Sequence, residues 1–209
     1  MTTSKYREAG YRVPEKDRPY IRALAHYLRD FIAAEYGIAG EVVNVVDLIQ
    51  KWGYLRARGM LDNPDYRVVE DLALPGRDAE YRPRPDGYGP VDADDEFHCF
   101  LIRETIWDAA TAGDPAASET LAHEVGHCVL QHPAPTHMRM YRDEIVDRLT
   151  DSEWQANTFM DEFLMDSRQI TLRDGWKDIR DRFNVTQESA IRRIRELIYE
   201  RRFPNERRG

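Results

Sequence analysis

Two histidines and a glutamate near the middle of the chain have a spacing that could hold a metal ion. Residues 121–128 read Leu-Ala-His-Glu-Val-Gly-His-Cys and contain the pattern H-E-x-x-H. On an α-helix, His123 and His127 lie one turn apart on the same face, so both imidazoles can bind one metal ion. Glu124 lies beside the first histidine and could take a proton from a water molecule at that metal. The pattern is short, so the surrounding elements must support it.

A catalytic zinc ion has three protein ligands and one open position, so the two histidines need a third partner. The candidates further along the chain are His132, His137, Asp143, Glu144, Asp147, Asp151 and Glu153. Glu153 is the best of them, because apolar residues from Ile145 to Leu164 predict a long helix whose inner face packs on the motif helix. Asn157, one turn after Glu153, could orient a ligand imidazole through a hydrogen bond. A solvated glutamate on an exposed helix face would give the same pattern.

Local signals predict the helix that carries the motif. Asp114 is a suitable N-cap and Pro115 a suitable first helical residue, so we expect a helix from there to about Gln131. Apolar residues at three- and four-residue spacing predict two earlier helices, over residues 20–37 and 44–52.

The strands are less clearly marked. Residues 97–103 are aromatic and β-branched enough to form a strand, which could line a substrate cleft or be purely structural. Residues 54–58 alternate like a short strand. The segment 59–95 is rich in proline and glycine and is predicted to be a loop, with one short strand around residues 67–72. Together these elements predict a mostly helical α+β fold with a small antiparallel sheet.

The composition narrows the class of protein. A chain of 209 residues with 42% hydrophobic residues suits one compact domain. Its net charge of −8 argues against a protein whose main ligand is nucleic acid. Residues 1–19 form a polar leader without the apolar core of a secretory signal. Cys99 and Cys128 give no disulfide framework and are expected to be small core residues. We therefore expect a cytoplasmic protein.

The C-terminal part of the chain has its own pattern. Residues 176–194 predict two helices joined by a short turn, with Thr186 as the N-cap of the second. This arrangement resembles a helix-turn-helix, and Arg192, Arg193 and Arg195 would add positive charge to it. DNA binding is one interpretation, and packing on the rest of the protein is the favoured one because the whole chain is acidic.

The order of these motifs resembles the ImmA/IrrE family of bacterial and phage regulatory metallopeptidases. The resemblance rests on H-E-x-G-H followed by E-x-x-A-N-x-F and a Leu-Met pair, and it extends over roughly residues 20–200. The chain departs from the family at residues 163–166, which read Phe-Leu-Met-Asp where Leu-Leu-Met-Pro is usual. That difference touches none of the expected metal ligands.

The resemblance implies a zincin-like fold, one zinc ion and a role for each motif residue. The ion would be held by His123, His127 and Glu153, with Glu124 as the catalytic residue. His132 matches a histidine that is common after the family motif, and a structural role suits it better than ligation. The expected oxyanion donor is not identified by the pattern, and Tyr141 and His137 are the candidates.

The prediction from the whole sequence is a zinc metalloendopeptidase. We expect a leader over residues 1–19, a zincin-like peptidase domain over 20–170 and a helix-turn-helix-like helical segment over 171–209. The resemblance further implies a protein substrate, a helix-turn-helix transcriptional repressor, and hence a role in transcription regulation. The alternative is a non-proteolytic regulatory protein that uses the same fold to bind a protein partner or DNA.

Overall fold

Seven α-helices and a three-stranded sheet make up the described part of the chain in this computed structural model, which covers residues 12–37, 40–56, 65–82, 99–132 and 147–202. The helices are α1 (Arg18–Tyr36), α2 (Val45–Arg56), α3 (Glu104–Thr111), α4 (Pro115–Val129), α5 (Ser152–Leu164), α6 (Trp176–Phe183) and α7 (Gln187–Arg202). The strands are β1 (Asp65–Val69), β2 (Ala79–Arg82) and β3 (Cys99–Arg103). The predicted mostly helical α+β fold is confirmed.

The sheet is mixed, which corrects the expected antiparallel sheet. Its strand order is β1-β3-β2, with β3 parallel to β1 and antiparallel to β2. A parallel pair needs a long connection, and residues 70–98 between β1 and β3 provide one. Within the described chain β3 is paired on both sides, so it has no open edge for a substrate, and the structural interpretation of residues 97–103 applies to this strand. The edge strand β2 was not predicted.

Helix α5 lies at the centre of the packing. It packs against α1 on one side and α4 on the other. All of its residues are buried except Glu153, Trp154 and Asn157, which are half-buried. The Phe159 and Phe163 rings stack with their centroids 5.4 Å apart within this core. Burial on nearly every side fixes α5, so the face that carries Glu153 and Asn157 is held in one orientation.

Two helix boundaries differ from the sequence prediction. Helix α5 begins at Ser152, because the Asp151 side chain caps it by accepting hydrogen bonds from the Glu153 and Trp154 amides. The predicted start near Ile145 lies outside the described residues, but residues 148–151, which the prediction placed in the same helix, form a 3-10 turn and a bridge instead. Helix α2 continues to Arg56, so the short strand predicted over residues 54–58 is wrong for residues 54–56. Helix α3, which follows β3 directly, was not predicted either.

The C-terminal helices pack on the rest of the protein. The predicted helix, turn and helix are present, and Thr186 caps α7 by accepting a hydrogen bond from the Ser189 amide at 3.3 Å. Apolar residues of both helices belong to the main core: Ile179, Phe183, Ala190 and Leu197. Arg193 is fully buried, with Nη2 2.6 Å from the Glu162 carboxylate. The domain boundary at residues 170 and 171 stays a prediction.

Neither Cys99 nor Cys128 forms a disulfide, and both are buried, as expected for small core residues. In the described ranges, none of the helices combines the length and the apolar character that crossing a membrane requires.

Candidate metal centre

Helix α4 begins where the sequence predicts and presents both motif histidines on one face. The Asp114 side chain accepts a hydrogen bond from the Ala117 amide at 2.8 Å, and Pro115 is the first helical residue. His123 and His127 follow two turns later, with side chains 16% and 15% exposed. Their half-buried position keeps the rings ordered while leaving one edge open to a cleft.

Three side chains from α4 and α5 converge at one point. The Nε2 atoms of His123 and His127 are 3.0 Å apart. Glu153 places Oε2 3.1 Å from His123 Nε2 and Oε1 3.5 Å from His127 Nε2. A set of ligand atoms from these three residues lies within 4.8 Å of one another. These are the three side chains that the sequence named as ligands.

The chemistry of this group fits a cation. Asn157 Oδ1 lies 3.2 Å from His123 Nδ1, and an amide oxygen can only accept, so Nδ1 carries the hydrogen. Burial opposes a charge on His123, but the hydrogen bond to Glu153 and the charge of Glu124 outweigh it and raise its pKa. Burial also works against ionisation of Glu153, yet the two histidines lower the pKa of that carboxyl. Two imidazoles and a carboxylate are a known ligand set of catalytic zinc.

Glu124 is held from the opposite side by strand β2. Its Oε2 accepts a hydrogen bond from the backbone amide of Tyr81 at 2.7 Å. The Tyr81 amide therefore points away from β3 and toward α4. Sequence reasoning missed this contact, because a backbone amide donates in the same way whatever the side chain. The strand beside the motif glutamate is thus β2, one of the two edge strands of the sheet as far as the chain is described.

Gly126 allows α4 and α5 to come close together. A Cβ atom built on Gly126 would lie 3.1 Å from the Ala156 carbonyl oxygen and 3.2 Å from both Ala156 Cα and Phe159 Cδ1. Two of these atoms belong to backbone and cannot rotate away. Ala156 lies one turn after Glu153, so this close contact also sets the distance from Glu153 to the histidines. A glycine inside a strongly predicted helix was the available signal for such a contact.

His132 lies behind His127, away from the group of three. Gln131 adopts a left-handed conformation with φ of 55°, which turns the chain back after α4 so that the His132 amide donates to the His127 carbonyl oxygen at 3.0 Å. The His132 ring is buried, with Nδ1 2.8 Å from His127 Nδ1. Burial and the neighbouring His127 lower the pKa of His132 to about 3. The oxyanion candidates Tyr141 and His137 lie outside the described residues.

A cleft of about 890 Å³ opens over this group. One wall is residues 76–81, which lead into and include β2, and the floor is α4. The opposite wall includes the start of α7, where Glu119 of α4 accepts hydrogen bonds from the Thr186 amide at 2.6 Å and the Ser189 hydroxyl at 2.8 Å. The C-terminal segment therefore helps to shape the cleft.

Comparison with known proteins places this site in a family. No curated protein matches the chain. Residues 92–195 match the model of the Peptidase_M78 family, described as an IrrE N-terminal-like domain, and this stretch contains both histidines, Glu124 and Glu153. The match supports a metallopeptidase-like function and confirms the resemblance found in the sequence. Residues 92–195 are therefore assigned to the Peptidase_M78 family as an IrrE N-terminal-like domain.

Proposed function

We propose that this protein is a zinc-dependent endopeptidase that cleaves a specific regulatory protein in the cytoplasm. The observation that carries the proposal is the convergence of His123, His127 and Glu153 beside Glu124, on the floor of a cleft and inside the region of the family match. A solvated Glu153 on an exposed face would not lie 3.1 Å from His123 Nε2.

The three converging side chains would hold the ion, through Nε2 of each histidine and the Glu153 carboxylate. When bound, zinc would lower the pKa of a water molecule toward ~7 and polarise a carbonyl oxygen. The scissile peptide would lie in the cleft that these side chains line.

Glu124 is the proposed general base. The Tyr81 amide binds its Oε2. In the described part of the chain the other oxygen, Oε1, is left to take a proton from the attacking water. Glu124 would then pass that proton to the leaving amine, so one carboxylate serves both halves of the reaction. Positioned proton transfer of this kind contributes typically ~10² to 10⁴ in rate.

The edge of β2 offers a way to bind the peptide. Residues 76–81 line the cleft, and within the described chain β2 pairs with a strand on one side only. An extended peptide could add to its other side through backbone groups other than the Tyr81 amide, which binds Glu124. Such a peptide must leave its own secondary structure to enter. We therefore expect cleavage in an extended or locally unfolded segment of the substrate.

We propose a helix-turn-helix transcriptional repressor, encoded beside this protein, as the substrate, on the basis of the family resemblance. Cleavage would then relieve repression. The alternative use of α7 to bind DNA is less favoured, because Arg193 is fully buried against Glu162 and Arg192 binds the Asp161 carboxylate at 2.8 Å. Neither guanidinium is free to bind phosphate without breaking an ion pair.

The test is cleavage of the purified neighbouring repressor by the zinc-loaded protein, with fragments identified by mass spectrometry. Glu124→Gln should retain zinc and lose at least ~100-fold in rate, since it removes the base and keeps the ligands. Glu104→Gln makes the same chemical change at an exposed position of α3 and should cleave like the wild type. Repression that is relieved equally well by Glu124→Gln would refute the proteolytic function and support the binding alternative.

A further inference from the structure

A chain of hydrogen bonds runs from the N-terminal segment to the metal-binding group. The Gln155 side-chain amide donates from Nε2 to the Pro14 carbonyl oxygen at 2.9 Å and to the Leu149 carbonyl oxygen at 2.6 Å. Its Oε1 lies 2.9 Å from His132 Nε2. His132 Nδ1 in turn lies 2.8 Å from His127 Nδ1.

The partners at the start of this chain fix where each hydrogen lies. Carbonyl oxygens only accept, so the Gln155 nitrogen must face Pro14 and Leu149, and its oxygen must face His132. An amide oxygen also only accepts, so His132 Nε2 carries a hydrogen. His132 is 4% exposed, and neither of its hydrogen-bond partners, Gln155 and His127, is anionic, so burial favours the neutral ring. His132 Nδ1 is then a bare acceptor.

We propose that His132 and Gln155 are positioning residues that hold His127 in the tautomer with hydrogen on Nδ1 and thereby present the Nε2 lone pair to the metal. A bare His132 Nδ1 can only accept, so His127 Nδ1 must donate. The opposite tautomer would place a hydrogen on His127 Nε2, which lies 3.0 Å from His123 Nε2 in the centre of the group. That hydrogen would block ligation. Asn157 orients His123 in the same way, so each histidine has its own partner.

The chain of hydrogen bonds ends on the segment before α1. This segment is tied to the loop before α5, because the Val13 amide donates to the Thr150 carbonyl oxygen at 2.9 Å and the Lys16 amide to the Leu149 carbonyl oxygen at 3.0 Å. Residues 12–17, assigned to the leader by the sequence, therefore hold the amide of Gln155. The orientation of the His127 ring therefore depends on residues 12–17, which lie outside the family match.

The inference rests on the proposed function, because it takes His127 to be a zinc ligand. Its first test is zinc affinity, measured by chelator competition on the full chain. His132→Leu and Gln155→Leu should weaken zinc binding by ~10- to 100-fold, as loss of a ligand's hydrogen-bond partner typically does. His132→Asn keeps an acceptor near the position of Nδ1 and should recover most of the affinity.

The matched control is Thr158→Val, which removes a buried hydroxyl from α5 without touching the cleft. Its zinc affinity should equal that of the wild type. If His132→Leu binds zinc as tightly as the wild type, or if His132→Asn is as weak as His132→Leu, the positioning role is refuted. A wild-type protein that binds no zinc would instead refute the proposed function itself.

A second measurement needs no variant and so stays valid if His132→Leu fails to fold. Nitrogen NMR of the zinc-loaded wild type should detect scalar coupling across the hydrogen bond between the two Nδ1 atoms, with the hydrogen attached to His127. It should also show a hydrogen on His132 Nε2. Finding the shared hydrogen on His132 Nδ1 would overturn the proposal.

Discussion

Replacing Gly126 by alanine tests whether the close approach of α4 and α5 assembles the metal centre. The new methyl group would meet the Ala156 carbonyl oxygen at 3.1 Å and Ala156 Cα at 3.2 Å. Both are backbone atoms, so relief requires α5 to move by a few tenths of an ångström. Glu153 lies one turn before Ala156 and would move with it.

Two opposing effects set the size of the change in stability. Alanine favours a helix over glycine by ~0.8–1 kcal/mol. Overpacking of a well-packed core costs typically ~1–3 kcal/mol. Because the contact is with backbone, we expect the overpacking cost to exceed the gain in helix propensity by about 1 kcal/mol. This net loss of stability lowers the melting temperature by ~2–4 °C for a protein of this size.

The loss of zinc affinity should exceed the loss of folding stability. A displaced Glu153 loses its alignment with both histidines, so zinc affinity should fall at least ~10-fold, the scale of losing a ligand's orientation. Chelator competition and thermal unfolding of the metal-free protein measure the two effects separately. Ser118→Ala provides the control, because it improves helix propensity at a half-buried position of α4 that does not line the cleft. If Gly126→Ala is more stable than the wild type and binds zinc equally well, the close contact does not govern the site.

Three further predictions concern stability. Burial raises the pKa of Glu162, but Arg193 and Arg22 outweigh burial and lower that pKa from its usual 4.5 to about 2. The ionised carboxylate therefore stabilises the fold above about pH 4.5. This contribution, up to about 3 kcal/mol, should be lost as the pH falls toward 2. Urea unfolding at pH 7 and pH 3 measures this loss of stability. An equal loss in Glu162→Gln would contradict the prediction. Arg193→Met should cost ~3–5 kcal/mol by leaving Glu162 buried without that partner, and wild-type unfolding in urea would refute this. Removal of zinc by a chelator should lower the folding stability by ~2.7 kcal/mol, relative to protein in the presence of free zinc at 100 times its dissociation constant. An unchanged melting temperature would argue against a zinc site in the folded state.

The parts of the fold that the sequence predicted are those with local signals. Asp114 and Pro115 mark the start of α4 because a cap and a fixed φ act within one turn. The long apolar pattern of α5 likewise identified the helix that carries Glu153, although the start of that helix was misplaced. These two elements contain every ligand candidate that the structure brings together.

The parts that the sequence did not predict depend on contacts between distant residues. Strand β2 has four residues between segments rich in glycine and proline, and it exists because it pairs with β3. Tyr81 acts through its backbone amide, which leaves no signature in the residue type. His132 was expected to be structural, but its approach to His127 depends on the left-handed Gln131. Glutamine at such a position gives no signal comparable to glycine.

The most direct test of the central claim is an anomalous difference map at the zinc absorption edge, from crystals of the zinc-loaded protein. The structure predicts one peak, about 2.0–2.1 Å from Nε2 of His123 and of His127 and about 2.0–2.2 Å from a Glu153 oxygen. A peak coordinated by other side chains, or no peak at these three residues, would contradict the assignment of this group as the metal centre.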